Sequence, residues 1–319
     1  MGDRLAGRVA IVTGSARGIG RGVALQLAAE GAHVVVADFG GALDGTGGDK
    51  GPADQVVDEI TNAGGTAIAA YGDVSKYADC EATAQRAIEA FGRIDILCHV
   101  AGILRDRMVF NMTEEEWDAV LAVHLKGAFN SVRTVVPSML ENRYGRILLF
   151  SSGSGLGSPG QANYSAAKEG MVGFSRALAR ELGPHGIAVN AVYPGGQTRM
   201  SASVPTNRDA LRQRAGIGSR PAARNVRYMM DEGELPGTPR DPENNAPPVA
   251  WLCSEAGGAV AGQVIGTAGW QASRYHPRKV IRSITGSRRW SIEELGDIVP
   301  NHLVVGIPNP APSQQPRNE

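Results

Sequence analysis

The sequence carries no excess of either charge: 32 Lys and Arg balance 32 Asp and Glu. That balance removes the electrostatic argument for a nucleic-acid or anionic-membrane partner. Cysteine is scarce, with Cys80, Cys98 and Cys253 at no metal-ligand or CxxC spacing, so no metal site is expected. Cys98 and Cys253 fall in apolar runs, as core thiols do in a reducing compartment. No stretch approaches the ~18 consecutive apolar residues of a membrane span. The start, MGDRLAGRVAIVTG, enters a strand-like run and leaves no room for a signal peptide. The end, Pro316-Arg317-Asn318-Glu319, is not a peroxisomal tripeptide. Internal repeats are lacking too. These absences predict a cytoplasmic protein, and 319 residues are enough to bury a large core.

The densest chemistry lies in Ser151–Lys168, SSGSGLGSPGQANYSAAK. Tyr164 and Lys168 are four residues apart, so on a helix they share a face. A phenol titrates near ~10, and a cation within a few ångström favours the phenolate. Such a tyrosine exchanges a proton with a hydroxyl or carbonyl near neutral pH. Ser151 and Ser152 close the apolar run Ile147-Leu148-Leu149-Phe150, which reads as a buried strand.

Upstream, Val9-Ala10-Ile11-Val12 leads into Thr13-Gly14-Ser15-Ala16-Arg17-Gly18-Ile19-Gly20. A helical pattern follows to Glu30, then a valine-rich strand, His33 to Ala37, closed by Asp38. Strand, glycine turn, helix, strand and acid come in the order a dinucleotide site requires. Glycines let the backbone approach a pyrophosphate, and the helix N-terminus offers free N–H groups.

Phe39 to Pro52 is glycine-rich and reads as a surface loop. Further strands are expected at Thr66–Tyr71, Ile94–Val100, Gly145–Phe150, Ile187–Val192 and Gln263–Gly266, with helices between them. Thr113-Glu114-Glu115-Glu116 has capping-box spacing and opens a long helix through Trp117 and His124. The alternation predicts an α/β fold, a Rossmann-type doubly wound parallel sheet of about seven strands. Residues 201–248 break the pattern with arginines and prolines, and read as a flexible lid over the substrate. The domain is expected to span 1–272, with 273–319 as an extension packed on it and a frayed end after Val305.

Taken together, these residues resemble short-chain dehydrogenase/reductases. The likeness rests on Thr13-Gly14-x-x-x-Gly18-x-Gly20, Asp73-Val74, Ala101-Gly102, the serine, tyrosine and lysine set, Asn190 and Pro194-Gly195. A narrower resemblance is to the (3R)-hydroxyacyl-CoA dehydrogenase domain of peroxisomal multifunctional enzyme type 2 and its bacterial relatives. It rests on Phe39-Gly40-Gly41, Gly102–Arg107, Val123–Gly127, Gly160–Lys168 and Ala268-Gly269-Trp270.

The resemblance implies Tyr164 as general acid/base, Lys168 lowering its pKa and holding the nicotinamide ribose, and a serine polarising the substrate oxygen. His124 stands where most members place an asparagine in a proton relay, and a neutral imidazole can relay as well. Counting from the strand picks Ser152, and counting back from Tyr164 picks Ser151. Pleating sends the two to opposite faces, and loops absorb deletions better than strands, which favours Ser152. His99 and Val100 replace the paired asparagines usual before Ala-Gly, and His99 reads as structural. The implied coenzyme site comprises Gly14, Ser15, Arg17, Gly18, Ile19, Gly20, Asp38, Asp73, Val74, Ala101, Gly102, Tyr164, Lys168, Pro194, Gly195 and Thr198.

Arg17 would favour a 2′-phosphate, whereas Asp38 accepts from an unmodified ribose and repels that phosphate, so NAD is predicted over NADP. The expected reaction interconverts a secondary alcohol and a ketone, with a (3R)-hydroxyacyl-CoA or a hydroxysteroid as the alcohol. The alternatives are an NADPH-dependent 3-oxoacyl reductase and a catalytically silent dinucleotide sensor. By analogy with the family, a homodimer or homotetramer is expected.

Overall fold

The computed structural model describes residues 2–203 and 230–306. Positions 204–229 of the expected lid, and the expected frayed end from 307 onward, lie outside the described residues. The described residues fall into two compact units, 2–203 with 230–275, and 276–306.

The larger unit is built on one sheet, ordered β3-β2-β1-β4-β5-β6-β7-β8. Its strands are β1 (Val9–Thr13), β2 (His33–Ala37), β3 (Thr66–Ala70), β4 (Ile96–His99), β5 (Gly145–Phe150), β6 (Ile187–Pro194), β7 (Val264–Ala268) and β8 (Gln271–Arg274). The first seven pair in parallel, and β8 returns antiparallel on β7. Strands covered on both faces read as continuous apolar runs. Ala10 and Val12 pack on one side with Val34 and Val36, while Val9 and Ile11 pack on the other with Val35 and Ala37.

The first side is covered by α1 (Gly18–Ala29), α2 (Gly51–Asn62) and the helix Ala246–Cys253, through Val23, Leu27, Val56, Ile60 and Val249. The second is covered by α3 (Tyr77–Phe91), α5 (Gly127–Asn142) and α6 (Ala162–Leu182), through Ala87, Val132, Val135, Met139 and Met171. Chain order reverses between β1 and β4, so the carboxyl ends of these two strands open the crevice in which such sheets bind ligands.

The expected long helix from Thr113 is interrupted. The capping box forms, with Thr113 Oγ1 accepting from the Glu116 N–H and the Glu116 carboxylate accepting from the Thr113 N–H. The helix α4 (Glu114–Leu121) then passes into a π-helical turn, Ala122–Lys126, before α5. One extra residue in that turn lets His124 point inward without breaking the helix, as π turns do at functional sites. Among the described residues no helix is long and apolar enough to cross a membrane.

In the smaller unit a second capping box, Ser291 with Glu294, starts the helix Ile292–Ile298. Arg282 donates to the Val305 carbonyl at 2.8 Å.

Candidate active site

The glycine turn after β1 is shaped by close backbone approach. Gly14 has φ +67°, and a Cβ there would lie 2.7 Å from the Ala101 backbone. At Gly20 it would lie 2.1 Å from the Gly14 carbonyl. Larger residues at either position would fill the cradle that a pyrophosphate needs. Arg17 precedes α1 in extended conformation with no side-chain cap on the helix, which leaves first-turn N–H groups for an anion. Ser15 is buried and donates to the Val12 carbonyl, and Ile19 packs on the core, so both shape the turn from within.

The other coenzyme candidates border this cradle. Asp38, at the end of β2, accepts the Ala16 N–H at 2.9 Å and the Gly40 N–H at 2.7 Å. The carboxylate is thereby fixed beside the turn. Thr13 Oγ1 accepts N–H groups of Val100 and Ala101 at 3.1 and 3.3 Å, which ties the end of β4 to β1. Asp73 turns onto its own loop, accepting from the N–H and hydroxyl of Ser75, while the Val74 carbonyl accepts from Asn130. A Cβ at Gly18 would stand 3.4 Å from Thr198, so the start of α1 faces the segment after β6. Gly195, after Pro194, is held by the Asn245 amide on both its N–H and its carbonyl. The cradle, the free helix start and the fixed carboxylate fit a dinucleotide.

Tyr164 and Lys168 lie on one face of α6 and are both buried. The two serines diverge as pleating requires. Ser151 donates to the Lys168 carbonyl at 2.6 Å and is spent on structure. Ser152 hydrogen-bonds the Tyr164 phenol and caps the turn Gly153–Leu156 through the Ser154 N–H. His124 meets Tyr164 edge to face, and its Nε2 lies 3.1 Å from the Ile103 nitrogen and 2.8 Å from its carbonyl. Its Nδ1 is buried with no hydrogen-bond partner. A Cβ at Gly102 would run into the imidazole, so this glycine makes room for it.

Burial dominates the electrostatics of Tyr164 and Lys168. Burial pushes the Tyr164 phenol up to about 12, with the Ser152 hydrogen bond working in the opposite direction. Burial, and not the Lys168 cation, sets the direction of that shift. The Lys168 Nζ donates to the Phe150 carbonyl at 2.5 Å and lies 5.4 Å from the centre of the phenol ring. Burial also pulls Lys168 down to about 7, so near neutral pH its positive charge is held only part of the time. Burial and the Lys168 charge hold His124 well below the ordinary histidine range, and it stays neutral. The same causes push His99 down to about 3. His99 Nδ1 lies 3.2 Å from Thr13 Oγ1 and 3.3 Å from Ser131 Oγ, a bracing position at the end of β4.

Residues 8–209 match the family described as short chain dehydrogenase. The chain belongs to that family. It is therefore an NAD(P)-dependent oxidoreductase acting on a CH–OH group. The dehydrogenase is 37% identical over 305 residues to hydroxyacyl-CoA dehydrogenase ChsB1 of Mycobacterium tuberculosis, covering 91% of this chain and 87% of that one. It is 45% identical over 202 residues to peroxisomal multifunctional enzyme type 2 of Drosophila melanogaster, which covers 63% of this chain and 33% of the fly enzyme's length. A crystal structure of a short chain dehydrogenase from Mycobacterium avium superposes with a TM-score of 0.76 at 39% identity, covering 94% of this chain and 95% of that one.

Two buried amides of the dehydrogenase were not singled out by sequence reasoning. Asn163 donates to the Arg105 and Glu116 carbonyls at 3.0 and 2.9 Å and accepts the Tyr164 N–H at 2.8 Å, so it anchors the start of α6. Its place next to Tyr164 was the available signal. Asn245, which clamps Gly195 and also accepts from Thr267, lies among prolines and polar residues with no periodic pattern to mark it.

Proposed function

We propose that the dehydrogenase oxidises the secondary hydroxyl of a (3R)-hydroxyacyl-CoA, with NAD as coenzyme. The observation that carries this reading is the convergence of Ser152, Tyr164 and His124 at the carboxyl edge of the sheet, beside the glycine cradle. The acyl-CoA substrate is supported by the relative named hydroxyacyl-CoA dehydrogenase, which aligns over nearly the whole length of both chains. NAD is supported by Asp38, whose carboxylate would meet a 2′-phosphate unfavourably.

A bound nicotinamide supplies the hydride acceptor, and the chain supplies the rest. The glycine turn, the start of α1 and Asp38 would hold the dinucleotide, together with Lys168 and the Pro194-Gly195 turn. Ser152 and Tyr164 both present hydroxyls to the substrate oxygen. Tyr164, as phenolate, takes the alcohol proton, and Ser152 stabilises the charge that passes between the two oxygens. The neutral His124 offers its unpartnered Nδ1 as the next acceptor. Because burial holds the phenol near 12, the oxidation rate rises with pH as the phenolate fraction grows.

The test is a rate comparison, with (3R)- and (3S)-hydroxyacyl-CoA each offered with NAD and with NADP. Turnover of the (3R) ester with NAD is expected. A preference for NADP would point to Arg17 reading the coenzyme and to an NADPH-dependent 3-oxoacyl reductase. Binding without turnover, unaltered by Tyr164→Phe, would identify a silent dinucleotide sensor.

A further inference from the structure

The glycine-rich loop after β2 is more than a surface connection. It closes on itself, with the Asp49 N–H donating to the Gly40 carbonyl at 3.1 Å and the Ala42 N–H donating to the Thr46 carbonyl at 2.8 Å. Asp44 ties its tip by accepting from the N–H and hydroxyl of Thr46. Gly40 has φ +73°, and a Cβ there would collide with the Asp49 backbone, so the closed base requires glycine.

Both ends of the loop are anchored, on different strands. At the base, the Gly40 N–H donates to Asp38. At the tip, the Leu104 N–H donates to the Leu43 carbonyl at 3.1 Å, and the Arg105 Nε to the Asp44 carbonyl at 3.2 Å. A Cβ at Gly45 would stand 3.3 Å from Ile103, so the tip also rests on that side chain. The base follows β2 and the tip meets the segment after β4, and β1 lies between them in the sheet. The loop thus crosses the crevice at the glycine turn. Its landing point, Ile103, is the residue whose backbone holds the His124 imidazole.

We propose that Gly40–Asp49 is a strap forming the outer wall of the coenzyme cleft. It retains the dinucleotide during each turnover and, through Ile103, fixes the position of His124. This rests on the dinucleotide reading above. An anchored loop over a cleft must open for exchange, and such steps often limit turnover. The five glycines at 40, 41, 45, 47 and 48 supply the backbone freedom for that opening.

The experiment uses the full chain with NADH and two variants. One replaces residues 42–47 by two glycines, and the other is Arg105→Ala, which removes the side-chain tie to Asp44 together with an ion pair to Glu115, with Glu115→Ala as the control for that pair. Stopped-flow displacement reads NADH release, and a single turnover reads hydride transfer. Release is expected to quicken about tenfold in the shortened strap and two- to threefold in Arg105→Ala, while hydride transfer slows. If the shortened chain does not fold, Arg105→Ala still decides. Unchanged release in folded variants would overturn the strap, and a lower melting temperature alone would not rescue it. Faster release with unchanged hydride transfer would overturn the link to His124. A wild-type chain that binds no dinucleotide would overturn the underlying reading instead.

Discussion

The rings of His124 and Tyr164 meet at 90° with their centroids 5.1 Å apart. The imidazole therefore packs against the catalytic candidate, and its Nδ1 is left without a hydrogen-bond partner. His124→Phe keeps an aromatic edge on the phenol and removes the nitrogen. We expect kcat to fall by about 10²-fold, within the range of a lost proton-transfer group, with coenzyme affinity nearly unchanged. His124→Asn should recover part of the rate. Steady-state kinetics with a coenzyme titration check both, and a full-rate His124→Phe would remove His124 from the relay.

Neighbouring serines should separate cleanly. Ser152→Ala removes the hydroxyl on the phenol and should cost about 10²-fold in kcat with little change in melting temperature. Ser151→Ala removes the 2.6 Å hydroxyl donor to the Lys168 carbonyl, which keeps its helical donor, and should cost about 0.5–1.5 kcal/mol of stability. The reverse pattern, read by kinetics and urea unfolding, would mean the serine roles are exchanged.

Lys168 makes stability depend on pH. Its folded value of about 7 lies below the ordinary 10.5, so between them the unfolded chain holds the proton that the folded chain has released. Stability therefore rises with pH across that window, and the cost of the buried ammonium is full below about 7. Lys168→Met abolishes the dependence. Its advantage in melting temperature over wild type should be largest near pH ~6 and shrink toward pH ~10. A gap that stays constant with pH would show that Lys168 is not desolvated.

His99→Leu tests the brace at the end of β4. Thr13 Oγ1 and Ser131 Oγ would both lose the Nδ1 partner in a buried site, at a cost of about 1–3 kcal/mol for each group left unsatisfied. Urea unfolding should show a loss of that order. Coenzyme binding should weaken as well, because Thr13 holds the Val100 and Ala101 backbone against the glycine turn. A variant as stable as wild type would show that the imidazole carries no bracing load.

Much of the scaffold was legible because its strands are buried on both faces. Ile147–Phe150 and Val34–Ala37 are apolar throughout, and a serine or an acid marks where each ends. The edge strand Gln271–Arg274 escaped notice because it is polar, mostly exposed and only four residues long. The π turn escaped because Ala122–Lys126 consists of ordinary helix formers, and one surplus residue barely disturbs a periodic pattern. The side-by-side placement of Tyr164 and Lys168 follows from helical spacing alone. The direction of the ammonium does not, because it depends on where the last carbonyl of β5 falls.

That surplus residue also sets two phases within one helical rod. Each α-helical residue advances about 100° around the axis, so the π turn offsets α4 from α5 by about that angle. The two halves can therefore direct their apolar stripes differently, with Val120 in a cluster beside Tyr164 and Val132, Val135 and Met139 against the sheet. Deleting a single residue from Ala122–Lys126 would restore one uninterrupted phase. It would swing Val120 and His124 away from Tyr164 together, so imidazole placement and the packing of this flank are set by the same residue.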